Sequence, residues 1–304
     1  MHSLRAMSYL DRIRVCHQWQ PENYRPFLLE GDSRPLGWVT HGFARRLKDF
    51  PKTFIVTDAA VMLPARYGDF EARSAVLEEA LRALHAAGEV PKWRGEDYAI
   101  GWRWGAPPLF RMERGAVPLF GVLAYGVHVN GFVATPAGPR LWVGKRSPHK
   151  AVAPGKLDHL VAGGQPYGLG LMENVIKEAA EEASVPAALA RLARPVGALR
   201  YLCERAEGLR NDVVFCFDLE LPADFVPRPG DDEVESFALW SMDQVLERIR
   251  GSDDFKFNVA LVNLDFALRH GVLDPDSEPE YQQIVDGLCG RFEGERRCLF
   301  RSDG

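Results

Sequence analysis

No stretch of this chain approaches the roughly 18–20 consecutive apolar residues that a membrane helix needs. The opening residues, MHSLRAMSYLDRIRVCHQW, lack a long apolar core and a small-residue cleavage site, so a secretory signal is not expected. A basic excess is also missing: the formal net charge is −5, which argues against nucleic-acid binding through a basic surface. Cysteine is scarce, with five residues (Cys16, Cys203, Cys216, Cys289 and Cys298) that are scattered, odd in number and free of any C-x-x-C pair. That pattern excludes a disulfide framework and points to a reduced, cytoplasmic protein with free thiols. Repeats and low-complexity tracts are absent.

What is present is ordinary for a water-soluble globular chain: 46% hydrophobic and 26% charged residues over 304 positions. That length suggests two domains. The pattern predicts a helix over 8–18, strands over 27–29 and 36–39 across a turn-rich GDSRP, and a basic helix over 41–50. Strand-like pieces follow at 53–56 and 60–63. A clear amphipathic helix then runs over 69–87, with Phe70, Ala75, Leu77, Leu81, Leu84 and Ala87 as its buried side and Gly88 as its end.

The next segment, PKWRGEDYAIGWRWGAPPLFRMERGAVP, is rich in Gly, Pro and Trp and has no period. We place the boundary there, giving an N-terminal α+β domain over 1–115, a second domain over 116–290 and a polar tail over 291–304 that is expected to fray. Trp93, Trp102 and Trp104 either pack between the domains or offer a stacking surface to a flat heterocycle. After Pro118 the chain becomes strand-rich, with candidate strands at 119–133, 140–146 and 160–162, an antiparallel pair at 197–203 and 212–221, and a strand at 236–240. Helices are expected at 242–250, 257–270 and 278–288. The order fits an α/β fold, a mixed sheet with helices on its faces.

The stretch from Gly163 to Pro186, GGQPYGLGLMENVIKEAAEEASVP, is the most informative. Met172, Val175, Ile176, Ala179, Ala180 and Ala183 recur at helical spacing as an apolar stripe, and Glu178, Glu181 and Glu182 share the opposite face. Like charges at these spacings destabilise a helix by roughly 0.2–0.5 kcal/mol per pair. Pro186 stops the helix nearby, so Glu181 and Glu182 fall in its last turn, where the macrodipole disfavours them by about 0.3–1 kcal/mol each. Either the face is simply solvated, or a divalent cation resolves the conflict. Hard carboxylate oxygens converging from one face suit Mg²⁺ or Mn²⁺.

This stretch resembles the Nudix box, G-x5-E-x7-R-E-U-x-E-E-x-G-U, where U is a bulky apolar residue. Gly163 takes the first Gly, Glu178 the Glu of R-E, Glu181 and Glu182 the E-E pair, and Val185 the last apolar position. Leu169 stands where the first Glu belongs, Lys177 replaces the Arg, Ser184 replaces the last Gly, and Ala179 is smaller than the usual aliphatic residue. In the family the missing Glu and the Arg help to hold loop and helix together. The segments RPLGWV, ERGAVPLFGV, LWVGKRSPHKAVAPGKLDHLVAGG and FNVALVNLDFALRHG are similar to a Nudix subfamily with an extra N-terminal domain, a module fused to thiamine pyrophosphokinase in fungi.

The resemblance implies an α/β/α sandwich and metal-dependent hydrolysis of a diphosphate linkage. It implies a small-molecule diphosphate as partner: the oxo and oxy forms of damaged thiamine diphosphate, or oxidised guanine nucleoside diphosphates such as 8-oxo-dGDP. It assigns Glu178, Glu181 and Glu182 as catalytic metal ligands, and the backbone carbonyl of Gly163 or Gly164 is expected to add an oxygen. Lys145, Arg146 and Lys150, at the end of a strand before the box, are candidates to hold the diphosphate, with Lys156 a weaker one. Glu178, or an outside carboxylate such as Glu233 or Glu235, would accept the water's proton. His149 and His159 receive no role, and Tyr201 and Phe215 stay open between core and pocket. The N-terminal domain is left to cap the pocket, recognise the base or mediate a homodimer. The alternative function is a Nudix-fold binding or regulatory protein with weakened catalysis, for which Leu169 and Lys177 speak.

Overall fold

The computed structural model describes residues 7–150 and 152–292. Ser8 opens the first helix, α1 (Tyr9–Val15): its hydroxyl accepts from the Asp11 N–H, and the Asp11 carboxylate accepts from the Ser8 N–H. Then follow β1 (Tyr24–Leu29), β2 (Gly37–Thr40), α2 (His41–Leu47), β3 (Ile55–Val56), β4 (Val61–Leu63) and α3 (Phe70–Ala86). The four strands form a sheet in the order β2-β1-β4-β3. On α3, Leu77, Ala80, Leu81 and Leu84 are buried, whereas Ala75 and Ala87, expected inside, face solvent.

The Gly/Pro/Trp-rich segment holds a hairpin that has no sequence period, β5 (Asp97–Ile100) with β6 (Phe110–Glu113). Two four-residue strands are too short to display alternation against so many turn residues. The following run does not begin as strand either. Val117–Phe120 is a helical turn, α4, closed by Gly121 at φ 53. Glycine is needed there because a Cβ would also lie 2.7 Å from the Trp38 carbonyl.

Next come β7 (Leu123–Val133), β8 (Arg140–Arg146), β9 (Leu157–Asp158), β10 (Val161–Gly164), α5 (Leu171–Ala183), α6 (Ala187–Ala190), β11 (Arg194–Arg205), β12 (Gly208–Glu220) and β13 (Val234–Ser241). The chain closes with α7 (Met242–Gly251), α8 (Val259–Arg269) and α9 (Tyr281–Leu288). β7 is buried at every position. It runs parallel to β12 over Leu123–Phe132, as interior strands covered on both faces do. On its other side β10 pairs with Val127–Val129 and Gly126, and β8 pairs only with Phe132 and Val133. β7 and β8 therefore diverge, and the gap between them is where the site forms.

The sheet is covered on both faces, an α/β/α sandwich. Val214 and Cys216 point to α1, α7, α8 and α9, and Phe217 and Leu219 point to α5. Helix α1 belongs by sequence to the N-terminal part, yet Tyr9, Ile13 and Cys16 pack into the core under α7–α9. The N-terminal sheet, α3 and the β5–β6 hairpin share a separate core with Phe120 and Val122. Most of the tail expected to fray lies outside the described residues.

Candidate active site

Strand β10 runs into a loop over 165–170 and then into α5. Periodicity put the three glutamates on the face opposite the apolar stripe, either solvated or holding a cation; the structure buries two of them. Glu178 is 9% exposed and Glu182 is 5% exposed, whereas Glu181 and Ala180 face outward. The buried arc of α5 runs through Asn174, Val175, Glu178, Ala179, Glu182 and Ala183, because β10 takes glycine opposite the acids. A Cβ on Gly163 would lie 2.5 Å from the Glu178 Cδ.

Glu182 Oε2 accepts from the Ala162 N–H at 2.9 Å. Neighbouring residues of a strand point their backbone groups to opposite sides. Ala162 therefore turns its N–H and carbonyl toward the acids, and the Gly163 carbonyl turns toward β7. Gly163 contributes its missing side chain, and its carbonyl, expected to face the acids, faces β7 instead.

Burial raises the Glu178 carboxyl above its usual range and raises that of Glu182 further. Two cations answer. Lys177 Nζ lies 3.1 Å from Glu178 Oε1 and 2.9 Å from Glu181 Oε2. Lys150 Nζ lies 4.0 Å from Glu182 Oε1 and bonds Glu233, and burial lowers its own pKa. Two buried carboxylates with a third beside them, a backbone carbonyl on the same side and a cradle cleared of Cβ atoms fit a hard divalent cation held by Glu178, Glu181, Glu182 and Ala162.

The helix end is capped from outside. Arg228 N–H donates to Ala183 O at 3.1 Å, and Gly230 N–H donates to Glu182 O at 3.3 Å. These donors satisfy carbonyls that the last turn leaves open, which offsets the dipole against Glu181 and Glu182. The same segment brings Asp231 and Glu233 to the cavity.

Loop and helix are tied by amides. Asn174 Nδ2 donates to Gly164 O at 2.7 Å and to Gln165 Oε1 at 3.2 Å, and Gln165 Nε2 donates to Leu169 O at 2.6 Å. Leu169 thus enters the tie through its carbonyl. Gln165 and Asn174 were missed in the sequence because an amide gives no periodic signal.

Of the cations expected to hold the diphosphate, Lys150 lines the cavity. Lys145 does not: it pairs with Glu235 at 2.9 Å on the outer face. Consecutive strand residues alternate, so Lys145 and Arg146 cannot both face inward. Arg146 lines the cavity, but its guanidinium is bonded to Asp158 at 2.7 Å and to the carbonyls of Val152 and Ala153. Lys156 bonds the Asp253 carbonyl away from the site, and His149 is exposed. Trp93 and Trp102 stay within the N-terminal part, against Arg82 and Arg34, and Trp104 alone of the three meets Tyr125 and Phe215, each at 4.9 Å.

Behind Gly163 the cavity continues to Tyr98, Tyr125, Tyr201, His128 and Asn258. Tyr201 is buried, donates to Asp212 Oδ2 at 2.6 Å and accepts from Asn258 Nδ2 at 3.1 Å. His159 Nε2 lies 3.0 Å from Asn263 Oδ1, and its Nδ1 lies 2.9 Å from the Nδ1 of His128. An amide oxygen only accepts, so the network assigns the His159 proton to Nε2 and makes His128 the donor between the rings. Burial lowers both imidazoles, His159 to about 4 against the opposing effect of Asp158 and Asn263, and His128 also through the neighbouring His159. His128, Asp158 and His159 bring three ligand atoms within 4.8 Å, among the described residues the one such group. Asp158 already faces Arg146 and Lys256, and both nitrogens of the His159 ring are engaged, so the trio is a closed polar network.

Residues 6–124 match the family described as Domain of unknown function (DUF4743). The chain is 37% identical over 288 residues to Nudix hydrolase 24, chloroplastic, of Arabidopsis thaliana, covering 92% of this chain and 78% of that protein. It is 38% identical over 295 residues to Nudix hydrolase 20, chloroplastic, of the same plant, again over 92% and 78%. Among solved structures, a MutT protein from Methanosarcina mazei Go1 superposes with a TM-score of 0.39 at 15% identity, over 48% of this chain and 94% of that one.

Proposed function

The chain belongs to the Nudix hydrolase family, whose members cleave phosphoanhydrides, and from that premise we propose that it hydrolyses a small-molecule diphosphate to the monophosphate in the cavity beside α5. The diphosphates of oxo- and oxythiamine are the substrates we favour, with oxidised guanine nucleoside diphosphates such as 8-oxo-dGDP second. Both unite a flat heterocycle with a diphosphate. The cavity offers charged groups at the box end and aromatic walls behind Gly163, which supports that class.

The observation that carries the reading is the burial of Glu178 and Glu182 against a glycine strand, with Glu181 alongside. Mg²⁺ is the cation we propose there, with Mn²⁺ as its substitute; when bound, it polarises a phosphoryl oxygen and acidifies a water. The chain's own groups do the rest. Lys150 faces the phosphate oxygens from the rim, leaving Glu233 as it does so. Glu233 is the outside carboxylate that reaches the cavity, and it accepts the water's proton; Glu235 is held by Lys145 elsewhere. For Glu178 and Glu181 to hold the cation, Lys177, whose side chain is already 41% exposed, would have to give up its pairing with them.

Among the described residues no helix is long and apolar enough to cross a membrane. Cys16, Cys203 and Cys216 are buried free thiols, which supports a reducing, cytoplasmic setting. Homodimerisation stays within the proposal as one arrangement of the N-terminal domain.

The test is phosphate release from oxythiamine diphosphate with Mg²⁺. Glu181→Gln and Glu182→Gln are expected to lower kcat on the order of 100-fold or more. Rates equal to wild type would overturn the reading. A second reading, diphosphate binding without turnover, draws on Lys177, whose ammonium stands between two of the metal carboxylates. It predicts calorimetric binding with no product formed.

A further inference from the structure

The β5–β6 hairpin of the N-terminal part reaches the box. A Cβ on Gly164 would lie 1.6 Å from the Tyr98 hydroxyl oxygen and 3.4 Å from the Arg114 Cζ. Only a residue without a side chain lets β10 meet this hairpin so closely. Tyr98 and Arg114 therefore stand against the strand that carries Ala162 and Gly163, and Arg114 lines both ends of the cavity.

Arg114 differs from the other arginines of that cavity. Arg146 is bonded to Asp158 and two carbonyls, and its side chain is 9% exposed. Arg210 holds Asp212 through Nε at 2.9 Å and Nη2 at 2.7 Å. Arg114 bonds one carboxylate through one nitrogen, Nη1 to Glu96 Oε2 at 2.7 Å. Its side chain is 42% exposed, its guanidinium carbon lies 5.7 Å from the centre of the Tyr98 ring, and Glu178 stands near it. An arginine fork with unbonded N–H groups facing a polar cavity suits phosphate oxygens in a bidentate contact.

Its position is set beforehand. The neighbouring Glu113 is buried, and its carboxylate accepts from the N–H groups of Arg94 (2.6 Å), Gly95 (3.1 Å) and Gly115 (3.0 Å). Arg114 N–H itself donates to Glu96 O at 2.8 Å, prolonging the hairpin. Strand alternation then sends Glu113 into the N-terminal core and Arg114 toward the site. A rotamer-rich side chain on so fixed a backbone loses less freedom when it grips an anion.

We propose that the N-terminal domain is a working part of the active site, supplying Arg114 as a contact to the substrate's diphosphate beside the wall made by Tyr98. This rests on the diphosphate reading above for the identity of the ligand. It assigns the domain a role in binding charge at the box rather than a remote one.

The experiment uses the full chain and inorganic pyrophosphate as probe, titrated calorimetrically without added metal, next to steady-state hydrolysis of oxythiamine diphosphate with Mg²⁺. Arg114→Ala is expected to weaken pyrophosphate binding about tenfold or more and to raise KM more than it lowers kcat, as loss of a charge-assisted contact does. Arg114→Lys, which keeps the charge and loses the fork, should fall between and guards against a folding defect in the alanine variant, with thermal melting recorded for both. Arg34→Ala, on the same domain against Trp102, should bind like wild type. Wild-type pyrophosphate affinity in both Arg114 variants, or no pyrophosphate binding by wild type, would overturn the inference. Arg114-dependent binding with no hydrolysis would instead sink the enzymatic reading and leave Arg114's role standing.

Discussion

Asn174 Nδ2 donates a 2.7 Å hydrogen bond to the Gly164 carbonyl, joining the box helix to the end of β10. With Gln165 it does the tying that the first Glu and the Arg of the family's box do elsewhere. Asn174→Ala leaves the Gly164 carbonyl and Gln165 Oε1 without this donor, and such a loss costs about 1–3 kcal/mol. Urea unfolding is expected to show that drop, and Mn²⁺ titration a weaker metal site. Unchanged values in both would remove the amide tie from the explanation.

The same tie makes a forecast about the two altered box positions. Leu169→Glu with Lys177→Arg restores the family pattern in a loop already held by amides, so kcat is expected to change by less than about threefold, a barrier change below about 0.7 kcal/mol. A gain of tenfold or more would favour the reading in which catalysis has been weakened.

Ser184 ends α5 with φ 51, a left-handed conformation that side chains disfavour by about 1–2 kcal/mol. Its side chain is exposed, so little packing compensates. Ser184→Gly, the residue of the family pattern, is expected to stabilise the protein by about 0.5–1 kcal/mol in chemical denaturation. A loss of stability would show that the Ser184 hydroxyl has a role the backbone does not reveal.

Gly230 allows the capping segment to lie on the helix end, since a Cβ there would sit 2.3 Å from the Glu181 carbonyl oxygen. Gly230→Ala forces that backbone away and should cost about 1–3 kcal/mol. Hydrolysis should fall with it, because Glu233 leaves the cavity. Wild-type stability together with wild-type turnover would contradict the capping account.

His159 titrates at about 4 in the folded protein against 6.5 for the free side chain, chiefly through burial and with a smaller push from the Lys256 ammonium, against the opposing pull of Asp158. Between those values the unfolded chain holds the extra proton, so this group's stabilisation is complete above pH 6.5 and is lost as pH falls toward 4, at up to about 1.4 kcal/mol per unit. His159→Asn should therefore show a slope of stability against pH, between 4.5 and 6, that is shallower by nearly one proton. Parallel curves for variant and wild type would refute the assignment.

The sequence was explicit wherever one element carries its own evidence. The α3 helix, the β11–β12 pair and the box helix were legible because apolar spacing or motif spacing is local. The β5–β6 hairpin was not, since two short strands among glycines, prolines and tryptophans leave no period. Lys145 was placed beside Arg146 at the site because adjacency in sequence was read as adjacency in space, which strand alternation forbids.

The three carboxylates, their spacing on one helix and the family they indicate were fixed by the order of residues alone, since covalent spacing along a helix determines which side chains share a side. Which side is buried was decided by tertiary structure: glycine at 163 lets β10 press against Glu178, and glycine at 164 lets the β5–β6 hairpin press against β10. These contacts take Glu178 and Glu182 out of water, turn the Ala162 carbonyl toward them and bring Arg114 from a distant stretch of chain to the same cavity. Desolvation and encirclement are properties of packing between segments, so no local pattern could have announced them.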